Sequence, residues 1–416
     1  MRDDLAALSV VHRWWLLAVG VVMAVPKADN FSPGAWSYLL YLVVATVLVV
    51  MPWPGPACRP GPLERVALAL GAWLVVSAAW GRGERADVAV AAATLAVLSA
   101  LAAWRAIGAV TDRESLLRLI AWTGAAGLLG TLVAAGPLTW VDHPRLVVLR
   151  PAMPIGGASS NAVGLLLLLA MLVVGLRRQV RRWFWWLLVA LDLLLVLQSL
   201  SRAGWLVVII FGAVEVIRHS GRVLAGLAGA GVLVVGGLST LLAIRGPSVL
   251  VDPTRLASYR LAVSVWADGG ALSHLFGRGA GTVWSWLSYE VALTGDPPDT
   301  YLRRTVWGEL LYHPHSLPIG VLGERGLVGL GLLLILLVLA VRSCLGVLQR
   351  QDEGADTLAV AVLVGMPAML VEYYLLRVFP SALLWWFVVW AVVWSRTRTT
   401  SSTKPLRKAA AEKVSS

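Results

Sequence analysis

The chain has 416 residues, 58% of them hydrophobic and only 14% charged, with a mean hydropathy of +0.78. No water-soluble domain of this size accommodates so much apolar surface, and the apolar residues come in continuous runs, which excludes the alternating pattern of a membrane β-barrel. The net charge of +12 would suggest a nucleic-acid partner in a soluble protein; here most of the excess falls between apolar runs, as the positive-inside rule requires, and no nucleic acid is expected.

In chain order, twelve apolar stretches predict membrane-spanning helices: Trp14–Val25, Ala35–Met51, Val66–Trp80, Ala86–Ala103, Leu116–Ala135, Ser159–Leu176, Trp183–Leu200, Gly204–Ile217, Val223–Ala243, Leu317–Val341, Leu358–Leu376 and Ser381–Trp394. The expected fold is an all-α polytopic membrane protein. Arg59, Arg65, Arg105, Arg113, the cluster Arg177, Arg178, Arg181 and Arg182, then Arg218, Arg222, Arg342 and Arg350 all fall on one side of that arrangement. Placing them inside makes both termini cytoplasmic. The chain then divides into residues 1–243 (helices one to nine), 244–316 (one long periplasmic loop), 317–395 (the last three helices) and 396–416, a basic cytoplasmic tail expected to be disordered. The first apolar run leads into a second span, so no cleavable signal peptide is expected. Cys58 and Cys344 lie far apart near cytoplasmic helix ends and predict neither a disulfide framework nor a metal site.

The long loop has internal order. Pro253-Thr254-Arg255 opens an amphipathic stretch with Leu256, Tyr259, Leu261, Val263 and Trp266 as its apolar positions and Asp252 placed to cap it. Such a helix lies along a membrane interface. Gly277-Arg278-Gly279-Ala280-Gly281 follows. It reads as a plain turn first and as a phosphate cradle second. The loop closes on Tyr312-His313-Pro314-His315-Ser316, with Glu324-Arg325-Gly326-Leu327-Val328-Gly329 behind it.

Several arginines sit on the outer side against the charge rule: Arg145, Arg150, Arg202, Arg255, Arg260 and Arg377. One reading is snorkelling to lipid headgroups; the other is an anion site, since guanidinium forks bind phosphate bidentately. The histidine pair likewise has two readings, interfacial capping or proton transfer. Zinc fits poorly, because only His274 in the same loop could join the pair. Glu324 is expected to pair with an arginine or cap a turn, and His143 to serve loop structure. Most of the 21 tryptophans belong to interfacial belts.

The ordered motifs resemble those of the bacterial O-antigen ligase and Wzy-type polymerase superfamily. His313-Pro314-His315-Ser316, a short apolar spacer and Glu324-Arg325-Gly326-Leu327-Val328-Gly329 are similar to the family's His-x-His-Asn and Glu-x-Gly-Leu-x-Gly, with Ser316 where Asn is usual. Arg255 with Tyr259, followed by Gly277-Arg278-Gly279, resembles its Arg, aromatic and Gly-x-Gly series. Ser201-Arg202-Ala203-Gly204 and Gly156-Gly157-Ala158-Ser159-Ser160-Asn161-Ala162 resemble two further family runs, the second without its proline. The resemblance covers the chain from about Arg150 to Leu330.

That resemblance implies a GT-C-like fold in the bacterial inner membrane. It also implies an inverting, metal-independent glycosyltransferase that needs no cofactor and has a periplasmic active site. The donor would be an undecaprenyl-diphosphate-linked glycan and the acceptor a sugar hydroxyl of the lipid A–core oligosaccharide, both met among membrane lipids. A C1–diphosphate bond already has a good leaving group and needs charge neutralisation, which arginines supply. Arg202 and Arg255, then Arg145, Arg150 and Arg260, are the expected diphosphate contacts. His315 is the expected base, with His313 as the alternate. A Wzy-type polymerase on the same carrier is the nearest competing reading. A transporter of lipid-linked oligosaccharide is the third, disfavoured by the long loop and by the lack of a repeat between the halves.

Overall fold

The computed structural model describes residues 8–24, 36–54, 61–81, 86–135, 139–141, 148–150, 158–178, 181–198, 201–245, 253–284, 302–305, 308–311, 314–350, 352 and 354–414. The helices are α1 Val10–Ala24, α2 Trp36–Val50, α3 Pro62–Val76, α4 Ala86–Gly108, α5 Arg113–Ala135, α6 Ala158–Arg178, α7 Arg182–Gln198, α8 Arg202–Ser220 and α9 Val223–Arg245. Two short helices, α10 Pro253–Ala267 and α11 Ala271–Phe276, precede α12 Leu317–Leu348, α13 Ala355–Gly365, α14 Tyr374–Arg377 and α15 Phe379–Val414. Two antiparallel ribbons complete the described residues: β1 Thr139–Val141 pairs with β2 Val148–Arg150, and β3 Leu302–Thr305 with β4 Gly308–Leu311.

Each of the twelve predicted stretches folds wholly or largely as helix. Among the described residues, six helical stretches are long and apolar enough to cross a membrane: Pro62–Trp80, Val90–Gly108, Arg113–Val133, Arg202–Ser220, Leu317–Leu348 and Phe379–Thr397. Their outer faces are apolar. Leu334, Ile335 and Val338 on α12 are about half exposed, an arrangement suited to lipid and not to water. The interior is built on α6, α13 and α15, whose residues Val163–Leu172, Ala355–Val362 and Leu383–Val392 are buried throughout. A helix apolar all round belongs in the middle of a bundle.

Two expectations change. The predicted eleventh span, Leu358–Leu376, is not one helix: α13 ends at Gly365, a 3₁₀ turn runs over Met366–Leu370, and α14 begins only at Tyr374. Pro367 lacks the N–H that a continuing α-helix needs, so the backbone tightens and breaks there. The tail, expected to be disordered, continues α15 to Val414; Leu406–Lys413 is made largely of strong helix formers.

Charge pairs mark one end of the bundle. Arg177 at the end of α6 bonds Glu215 of α8 at 2.5 Å and the Thr357 hydroxyl of α13 at 2.8 Å. Arg218 bonds Glu215 at 3.1 Å and also pairs with Asp356, whose carboxylate accepts from the Thr357 backbone N–H at 2.7 Å. Arg178 reaches Glu114 of α5 at 3.3 Å, and Arg113 pairs with Asp352. Burial pushes the Asp352 carboxyl up, against the pull of Arg113. Asp112 caps α5, accepting from the Ser115 backbone N–H and hydroxyl, each at 2.8 Å, and these bonds hold its carboxyl below the usual range. The starts of α5 and α13 therefore meet the ends of α6 and α8. The opposite ends of these helices, including the start of α8, and the start of the 32-residue α12 then lie at the other pole.

Candidate active site

At that other pole the chain is built around a break in α12. Gly326 has φ 65° and ψ −166°, outside helical space and in a region that disfavours a side chain. The break releases backbone carbonyls just before it, and each finds a new donor. Gly323 O accepts from Arg278 N at 3.2 Å, Glu324 O from Gly279 N at 3.0 Å, and Arg325 O from the Trp73 indole at 3.0 Å. Ala280 N donates to Ser77 O at 3.1 Å, tying the same run to the end of α3. The approach is backbone to backbone: a Cβ on Gly277 would sit 2.3 Å from the Glu324 carbonyl carbon, and one on Gly326 would sit 2.4 Å from Gly277 N. The Gly277–Gly281 run is thus a clamp on a split helix. Its amides at 278–280 are spent on carbonyls, which rules out the phosphate-cradle reading and favours the turn.

Glu324 and Arg325 are both buried and pair with each other, and the second Glu324 oxygen accepts from Trp284 N at 3.3 Å. Glu324 is thereby a structural partner inside the clamp, as expected for it. A buried pair of this kind is costly to break on one side, because the remaining charge is left without compensation.

Helix α10 lies across the start of α12 and against β4. It buries Ser258, Ala262 and Val265, a stripe of small residues at helical spacing, while Leu256 and Val263 are exposed. Of the expected apolar positions, Leu256 and Val263 point away from the protein while Tyr259, Leu261 and Trp266 are partly buried, and the small residues let α10 approach the bundle closely. Its lower end is fastened by Arg278, whose Nε donates to Val265 O at 3.1 Å, and by His274, whose Nε2 lies 3.0 Å from Ala267 O.

Helix α10 has contacts that bear on two predicted site residues, Arg255 and His315. Arg255 on its first turn lies 3.7 Å from the carboxylate of Glu372, a buried residue in the break between α13 and α14. One turn on, Tyr259 donates its hydroxyl to the carbonyl oxygen of His315 at 3.0 Å. His315 has φ 43°, the one left-handed non-glycine conformation among the described residues. Such a conformation costs an L residue about 1–2 kcal/mol and persists where surrounding structure imposes it. Pro314 on one side is buried, and Ser316 on the other begins α12 with its side chain buried. Tyr373, next to Glu372, closes on Gly320: a Cβ there would sit 2.6 Å from the Tyr373 ring and 2.7 Å from Pro314. His315 as a residue is partly exposed, but the Nδ1 of its imidazole is buried. Three separate parts of the chain thus come together here: α10 with Arg255 and Tyr259, the start of α12 with His315, and the break that carries Glu372.

The remaining predicted residues fall as follows. Arg202 opens α8 at the same pole, after Ser201, whose hydroxyl caps the helix by accepting from Gly204 N at 3.1 Å. Arg260 is on α10 and exposed. Arg150 ends β2 opposite Thr139, and its side chain is outside the described residues. Arg145, His313, His143 and Asp252 also lie outside them. Glu372 does not stand out in the sequence because it sits in an apolar run that reads as one continuous helix; Pro367 is the signal of the break. Among the described residues no group of three or more His, Cys, Asp or Glu side chains could hold a metal ion.

No protein-family model matches the chain, and no curated protein matches it.

Proposed function

We propose that the protein is an O-antigen ligase: an inverting, metal-independent glycosyltransferase with twelve membrane spans and a GT-C-like arrangement. It moves O-antigen polysaccharide from undecaprenyl diphosphate to a sugar hydroxyl of the lipid A–core oligosaccharide. Both termini are cytoplasmic, and the pole bearing His315 faces the periplasm of the bacterial inner membrane. The arginine-rich pole is the cytoplasmic one by the positive-inside rule.

The observation that supports this reading is that α10 carries both Arg255, paired with Glu372, and Tyr259, bonded to the His315 carbonyl, at the end of the bundle opposite the charge network. The acceptor hydroxyl attacks C1 of the donor sugar, the C1–oxygen bond to the diphosphate breaks, and undecaprenyl diphosphate leaves. The hydroxyl proton passes to the His315 imidazole, with His313 as its neighbour in the same motif. Arg255 and Arg202 neutralise the diphosphate charge as it develops, with Arg260, Arg145 and Arg150 around them. Glu372 holds the Arg255 guanidinium in place until the donor arrives. No nucleotide is needed, because the donor already carries the leaving group.

The test is the lipopolysaccharide of a deletion strain. Loss of a ligase leaves lipid A–core without polysaccharide while lipid-linked polymer accumulates. Core capped with a single repeat unit would instead indicate a polymerase, and donor trapped on the cytoplasmic face a transporter.

A further inference from the structure

The arginine-rich pole carries a second feature, independent of the proposed transfer reaction. Between the start of α3, the end of α4, the end of α12 and the middle of α15 lies a cleft of about 610 Å³. Arg342, Arg350 and Arg396 line it, against one carboxylate, Glu64. Two of the guanidiniums are held in place: Arg350 donates to Arg396 O at 2.8 Å, and Arg396 to the Ser343 hydroxyl at 3.4 Å. Trp104, Trp390 and Trp394 form its apolar wall, and the Trp390 indole is fixed by Ala100 O at 2.9 Å.

The cleft does not end there. Glu64, Trp104 and Trp390 also border a second cavity, a narrow groove of about 80 Å³ that runs along α3 and α4 past Ala67, Gly71 and Val97 to Leu74. Its lining is almost wholly apolar. From Glu64 to Leu74 the helix rises about 15 Å, half the ~30 Å hydrocarbon core of a bilayer. A cationic hollow at a membrane surface, opening into a greasy slot one leaflet deep, matches a molecule with a phosphate at one end and an acyl chain at the other. A soluble phosphate compound would use the arginines and leave the slot empty.

We propose that this is a binding site for an anionic glycerophospholipid of the leaflet at the arginine-rich pole, its phosphate among Arg342, Arg350 and Arg396 and one acyl chain in the groove between α3 and α4. Basic pockets between helices at this level recognise anionic headgroups by the same electrostatics. The occupied site fastens α3 and α4 to α12 and α15, and so steadies the helix α12 whose other end forms the clamp around Gly326.

The experiment uses the full chain, purified and delipidated in detergent, with thermal unfolding followed against added lipid. Phosphatidylglycerol should raise the melting temperature saturably, while phosphatidylcholine of the same chain length and glycerol 3-phosphate should not. Arg342→Gln with Arg350→Gln, both exposed side chains, should weaken the phosphatidylglycerol response roughly 25-fold, about fivefold per charge. Ala67→Phe, which fills the groove and touches no arginine, should remove the advantage of long-chain over short-chain phosphatidylglycerol. Equal responses to the anionic and zwitterionic lipids would overturn the proposal. So would a response to glycerol 3-phosphate matching that to phosphatidylglycerol, which would mark a free-phosphate site. Should the double arginine variant not fold, the comparison of lipids on the unaltered chain and the Ala67→Phe result decide the matter alone.

Discussion

The Tyr259 hydroxyl donates to the carbonyl oxygen of His315 at 3.0 Å, joining α10 to the residue that sits just ahead of α12. His315 is held there with φ 43°, so its backbone is imposed and not relaxed, and Tyr259 is one of the groups imposing it. Tyr259→Phe keeps the ring and removes the bond. A hydrogen bond of this kind is worth about 1 kcal/mol, so kcat for glycan transfer should fall about fivefold with KM for the donor nearly unchanged. Steady-state kinetics on the purified variant check this; a pure KM effect would place Tyr259 in donor binding instead.

His315 can be separated into its chemical and its conformational parts. His315→Ala should lower transfer by roughly 10²–10⁴-fold, the usual contribution of a general base. His315→Gly should be equally inactive but should melt no lower than the parent, because glycine accepts the left-handed backbone at no steric cost. Comparing rates and melting temperatures of the two variants distinguishes lost chemistry from lost folding.

Arg255 and Glu372 form a partly buried pair 3.7 Å apart. Arg255→Ala leaves the buried carboxylate poorly compensated and should cost on the order of 1–3 kcal/mol, less than a fully buried pair because Arg255 is partly exposed. Adding Glu372→Gln should restore most of that stability and none of the transfer activity. Thermal unfolding and transfer assays on the single and double variants measure both outcomes.

The clamp around Gly326 makes the firmest structural prediction. Gly326→Ala and Gly277→Ala each place a methyl group within 2.4 Å of backbone atoms at a positive φ. Each should destabilise the protein by more than about 4 kcal/mol, the range reserved for severe backbone and packing conflicts. Gly331, where an added Cβ meets nothing within 4 Å, is the control, and Gly331→Ala should behave as the parent. The yield of monodisperse protein in detergent is the readout.

These residues also show what the sequence could and could not convey. The helices were legible because a bilayer demands long apolar runs, and α5, α6 and α8 fall where those runs predict. The arginine-rich pole was legible for the same reason. The split at Gly326 was not, since a glycine in an apolar helix is ordinarily tolerated; its conformation is set by contact with Gly277, about fifty residues away in the chain and unseen by local pattern. Glu372 was hidden similarly, its partner Arg255 lying far upstream. On α10, counting apolar residues selects Leu256 and Val263, which face outward, along with Tyr259, Leu261 and Trp266, which are partly buried, whereas the fully buried positions include Ser258 and Ala262. Pattern reveals which residues are greasy; it does not reveal whether lipid or protein covers them.

The most direct measurement reconstitutes the reaction. The purified full chain is mixed in lipid with an undecaprenyl-diphosphate-linked glycan and lipid A–core, without nucleotide. The expected product is lipid A–core carrying the glycan at inverted C1 configuration, with release of undecaprenyl diphosphate, and no product from His315→Ala. Absence of transfer by the unaltered chain, or full transfer by the His315→Ala chain, would contradict it.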